Sequence, residues 1–91
     1  MATFTYGTPA VDYEFDDRLL AHLRVVIVAK LRRSESFLFT WIDHSGPEDM
    51  QESLWIHPGA SIRFEIRDSA AKQMSRAWLE LLAASANSGS V

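Results

Sequence analysis

Asp16-Asp17-Arg18-Leu19-Leu20-Ala21-His22-Leu23-Arg24-Val25-Val26-Ile27-Val28-Ala29-Lys30-Leu31-Arg32-Arg33 is the stretch whose reading decides the fold. Two readings compete. Val25-Val26-Ile27-Val28 is β-branched, and β-branched residues favour a strand. The longer pattern favours a helix. At about 100° per residue, Leu19, Leu20, Leu23, Val26, Ile27 and Leu31 share one face. Asp16 is a good N-cap, and acids suit the positive end of a helix. Lys30, Arg32 and Arg33 close the segment, where cations suit the negative end. Caps and period together predict a helix over Arg18 to Arg33. Ala21, Val25 and Val28 form a second apolar stripe on its far side.

Upstream, Thr3-Phe4-Thr5-Tyr6 and Val11-Asp12-Tyr13-Glu14-Phe15 alternate with period two, the half-buried strand signature. Gly7-Thr8-Pro9-Ala10 between them reads as a turn, so a hairpin is expected with its aromatics on one face. Downstream, Phe37 to Ile42 and Leu54 to His57 read as strands around the polar loop Asp43–Asp49. Pro58-Gly59 is a turn pair. Ile62-Arg63-Phe64-Glu65-Ile66-Arg67 alternates strictly: Ile62, Phe64 and Ile66 point inward and the charges outward. Ala70 to Ala84 has helical period, with Asp68-Ser69 as caps. The order is therefore ββαβββα. Short connections favour antiparallel neighbours. The expected fold is α+β: a two-layer sandwich with a mostly antiparallel five-stranded sheet and both helices on one face. Residues 1–86 form one domain and 87–91 a frayed tail.

The length of 91 residues holds one domain, and 47% hydrophobic residues exclude a disordered chain. There is no cysteine, hence neither a disulfide framework nor a thiolate metal site. The longest strongly apolar run, Val25–Ala29, is far too short to span a membrane. The start has no basic n-region, which sets the expectation of a cytoplasmic protein. A net charge of −3 opposes a general nucleic-acid field.

Little in the chain carries catalytic chemistry. His44 sits among acids and His57 ends a strand, without metal-ligand spacing, so no metal or other cofactor is expected. Asp16 and Asp17 are adjacent, so on a helix they diverge, and capping accounts for them. No G-x-S-x-G elbow and no phosphate-cradling loop is present. Two surfaces remain. Arg24, Lys30, Arg32 and Arg33 cluster near strand aromatics and form a candidate nucleic-acid patch. The second is a sheet face. If Phe37, Phe39 and Trp41 face the helices, then Leu38 and Ile42 face away, and Trp55 with His57 is chosen as outward beside them. Arg63 and Arg67 are expected to rim this strip. An aromatic anchor with an arginine rim is the composition of an interaction hot spot. A non-catalytic protein-interaction module is therefore expected, docking on a protein partner or on itself; a DNA-associated accessory protein is the alternative.

The segment Asp16 to Phe37, with Tyr6-Gly7, Leu54-Trp55-Ile56-His57-Pro58, Phe64-Glu65 and Trp78, resembles a family of small actinobacterial proteins. The resemblance runs over nearly the whole chain. That family is treated as a domain of unknown function, and automatic labelling often calls its members ATP-dependent DNA ligases. A ligase carries AMP on the lysine of a K-x-D-G motif. Here Lys30 is followed by Leu31-Arg32-Arg33 and Lys72 by Gln73-Met74-Ser75, so neither matches. The resemblance brings no catalytic residue.

Overall fold

In the computed structural model, which describes residues 1–72 and 74–87, the long central segment is a helix, α1 (Asp17–Arg32). The Asp16 carboxylate accepts from the Arg18 and Leu19 N–H groups at 3.1 and 3.2 Å. It thereby satisfies two of the donors that a helix start leaves unpaired. The other end closes as a Schellman turn. Ser34 N–H bonds the Leu31 carbonyl and Glu35 N–H the Lys30 carbonyl, both at 3.0 Å. Ser34 takes the left-handed position usually given to glycine, with φ 58°.

The alternating segments form β1 (Ala2–Tyr6) and β2 (Val11–Phe15), antiparallel across the turn at Gly7-Thr8-Pro9-Ala10. The Thr8–Pro9 peptide is cis, and Gly7 has φ 92°. Further on come β3 (Phe37–Asp43), β4 (Met50–Ile56) and β5 (Ile62–Glu65). The β4 strand begins four residues before the apolar Leu54. Met50 to Ser53 have no alternating pattern of their own, but antiparallel register pairs them with Asp43 to Thr40.

The strands do not make one five-stranded sheet. They form a three-stranded sheet in the order β2-β1-β5 and a separate β3–β4 hairpin. The last strand leaves its chain neighbour β4 and pairs antiparallel with β1, placing Phe64 opposite Phe4. Those rings stack at 5.3 Å, a cross-strand aromatic contact that rewards this long-range pairing. The two sheets meet through aromatic rings. Phe15 and Phe39 lie 5.7 Å apart, Phe15 and Trp41 5.2 Å, and Tyr13 and Trp41 5.3 Å. Leu20, Leu23 and Ile27 of α1 join Phe4, Phe37, Phe39 and Ile56 in the same core.

The helix expected over residues 70–84 is also divided. A short turn of helix, α2 (Asp68–Ala71), precedes α3 (Arg76–Asn87). Ser75 makes the break. Its side chain accepts from the Trp78 N–H at 3.4 Å, and its carbonyl receives the Leu79 N–H at 3.1 Å. A serine in that position is an N-cap, so α3 starts afresh there. This helix packs on α1 and on β3, and α2 packs on α1. Of the tail expected from residue 87, Asn87 belongs to α3 and the remainder lies outside the described residues. No helix among the described residues is long and apolar enough to cross a membrane.

Candidate interaction surface

The β3–β4 hairpin presents two chemically different faces. Its inner face carries Phe37, Phe39 and Ile56, all buried in the core. The outer face is set by register, which places Leu38 opposite Trp55, Thr40 opposite Ser53 and Ile42 opposite Gln51. None of these six is charged, in a chain of which 23% is charged. Trp55 is 57% exposed and Ile42 53%. Between them the Thr40 and Ser53 hydroxyls bond each other at 2.8 Å. The centre of the face is thus polar in composition but already paired, which lowers the cost of drying it.

One side chain ties this hairpin to the other sheet. The Tyr6 hydroxyl donates to the Trp55 carbonyl, and the Tyr6 ring meets His57 edge-on at 6.4 Å. Burial raises the Tyr6 pKa above the ordinary phenol value, and a hydrogen bond with the His57 backbone partly offsets this. Tyr6 therefore holds the backbone under Trp55 in place.

The two expected arginines are not on the sheet that carries Trp55. Arg63 and Arg67 follow β5 to the three-stranded sheet rather than to the hairpin. Arg63 pairs with Glu65. Arg67 Nε lies 3.5 Å from Asp17 Oδ2, beside the start of α1. Trp55 instead sits at the Tyr6 end of β1. Register on β1 places Arg63 opposite Thr5, one position from Tyr6. His57, two residues after Trp55, packs its ring against the same Tyr6.

The basic cluster is also reduced. Lys30 is buried, 6% exposed, and its ammonium donates to Glu35 at 2.9 Å. Arg33 Nε lies 3.3 Å from the same carboxylate. The bond from Lys30, with the charges of Arg33 and Lys30, pulls Glu35 below the usual carboxylate range. Lys30 and Arg33 are thus engaged in closing α1. Arg24 and Arg32 remain along the outer side of α1, flanking a shallow groove of about 360 Å³ with Val25, Val28 and Ala29.

An acidic cleft of about 720 Å³ opens between β2 and the end of β3, around Tyr13 and Trp41. Three of the carboxylates that line it serve their own chain. Asp12 accepts from Thr5 at 2.6 Å, Asp16 caps α1, and Asp43 is pulled below the usual carboxylate range by the side chain and N–H of Ser45. His44 pairs with Asp49 at 2.8 Å, away from His57.

Sequence reasoning passed over the last buried polar residue, His22. It is fully buried on α1, where helical period made it look like an ordinary position between apolar stripes. Both ring nitrogens are used. Nδ1 lies 2.6 Å from the Arg18 carbonyl, and Nε2 accepts the Ser75 N–H at 2.7 Å. A carbonyl can only accept and an amide N–H can only donate, so the ring is neutral with its proton on Nδ1.

A family model matches the whole chain, residues 1–91, and is described as a domain of unknown function, DUF7882. The chain belongs to that family. Neither the curated proteins nor the solved structures contain a match to it.

Proposed function

We propose that this DUF7882 domain is a non-catalytic interaction module that self-associates through the outer face of the β3–β4 hairpin. The uncharged, partly apolar character of that face around Trp55 carries the reading. A two-fold contact sets each surface patch against its own copy, so every charge near the axis meets itself. A face with no charge avoids that penalty. Its central hydroxyls are already bonded to each other, and Trp55 supplies the anchor. His57 stands beside the anchor, whereas Arg63 and Arg67 act in the three-stranded sheet. A DNA-associated accessory role, the other reading of the sequence, would rest on Arg24 and Arg32, because Lys30 and Arg33 are occupied by Glu35.

Sedimentation velocity over a wide concentration range tests the proposal. The expected result is a concentration-dependent monomer–dimer equilibrium that Ile42→Lys abolishes by placing like charges across the axis. Association that survives this change would place the contact elsewhere.

A further inference from the structure

The junction between α1 and α3 contains a buried titratable group with no part in the hairpin face. His22 is 0% exposed, and it joins the two helices through Ser75, the residue that starts α3. With Leu82 partly buried against the core, the rest of the α3 docking rests on few side chains. Ala86 is its fully buried apolar residue among the described ones, while Trp78 is 38% and Leu81 69% exposed. The imidazole also packs against Trp78, with ring centres 5.0 Å apart.

We propose that His22 is a proton-sensitive latch that holds α3 in place and releases it when the imidazole is protonated. Nε2 now receives the Ser75 N–H at 2.7 Å. Protonation turns Nε2 into a donor, and two donors at that distance must separate. The ring cannot simply turn, because Nδ1 is bound to the Arg18 carbonyl one helical turn earlier. The charged side chains on the packed elements do not rescue the cation. On α1, the Arg18 guanidinium lies 4.8 Å from the Trp78 ring that packs on His22, so this neighbour adds positive charge. On α2, Asp68 and Lys72 neutralise each other at 2.9 Å. On α3, Arg76 and Glu80 are both exposed and of opposite sign. The docked form needs Nε2 unprotonated and the released form does not, so the released form takes up a proton that the docked form excludes. Linkage then gives the sign: docking is favoured at higher pH and lost as pH falls. Release would uncover Leu19 and Leu23 of α1 with Phe39 and Trp41 of β3, which line a groove shared with Leu82 of α3.

NMR of the full chain, with the imidazole nitrogens and backbone amides followed together as pH is lowered, tests the latch. The neutral state should show the Nδ1–H tautomer. As His22 protonates, Ser75 and the α3 amides should lose protection by roughly tenfold or more, after correction for intrinsic exchange, while β1 and β5 keep theirs. His22→Gln offers an acceptor that does not titrate, and should remove the step. The proposal is overturned if α3 stays protected through His22 protonation, if the whole domain unfolds in that same step, or if His22→Gln shows an unchanged step. Should that variant not fold, the wild-type titration decides alone.

Discussion

Replacing Trp55 by alanine should cost association more than folding. Trp55 is 57% exposed, so of the roughly 250 Å² a tryptophan can bury, about 140 Å² is left for a partner. At about 25 cal/mol per Å² that area is worth about 3.5 kcal/mol per protomer, and a two-fold contact counts it twice. The remaining 110 Å² or so, already covered in the monomer, bounds the folding loss at about 2.7 kcal/mol. Compact denatured states lower that bound further. Truncated hot spots commonly cost about 2–4 kcal/mol each, so two copies should raise the dimer Kd by roughly a thousandfold or more. Sedimentation equilibrium measures the Kd, and urea unfolding at a concentration where both proteins are monomeric measures the folding loss. A wild-type chain that remains monomeric at its solubility limit refutes the reasoning. So does a Kd that moves by less than about threefold.

Ser34→Gly should stabilise the domain by about 0.5–1 kcal/mol, because glycine takes the left-handed helix end without the penalty of a β-carbon; a higher urea midpoint at unchanged slope is the readout. Gly7→Ala should destabilise by about 1–2 kcal/mol, since a new Cβ has room, its nearest neighbour being 3.7 Å away, but φ 92° opposes it. Tyr6→Phe should cost about 1 kcal/mol by leaving the Trp55 carbonyl without its donor, and should loosen the hairpin face in hydrogen exchange. Glu35 titrates below its ordinary value in the folded state, so the Lys30–Glu35–Arg33 cluster stabilises above the usual carboxylate range. That contribution is lost as pH falls through the depressed value, and comparing acid unfolding of wild type with Glu35→Gln should show the wild-type slope flattened in the variant.

Local chemistry was legible along the chain, and pairing was not. Asp16 as a cap, the 3.6-residue stripe of α1 and the alternation of Thr3–Tyr6, Val11–Phe15 and Ile62–Arg67 are short-range properties. Each depends on how one segment meets water on one side and a core on the other. The outward turn of Trp55 followed from the same alternation, once Leu54 and Ile56 were assigned to the core. Which strand β5 would join depended on a contact between Phe4 and Phe64, sixty residues apart, that no local pattern encodes. That one choice split the sheet and put Arg63 on a different sheet from Trp55. Lys30 looked free because charge patterning registers sign and spacing, whereas its burial came from the close of α1 folding Glu35 back onto it. His22 shows the same division. Its place on the helix is readable from the sequence, but its role arises only when Ser75, far along the chain, brings an N–H against a ring nitrogen that the helix itself had left unpaired. Periodicity and caps are set residue by residue, and partners across the fold are set by packing, which only the tertiary structure decides.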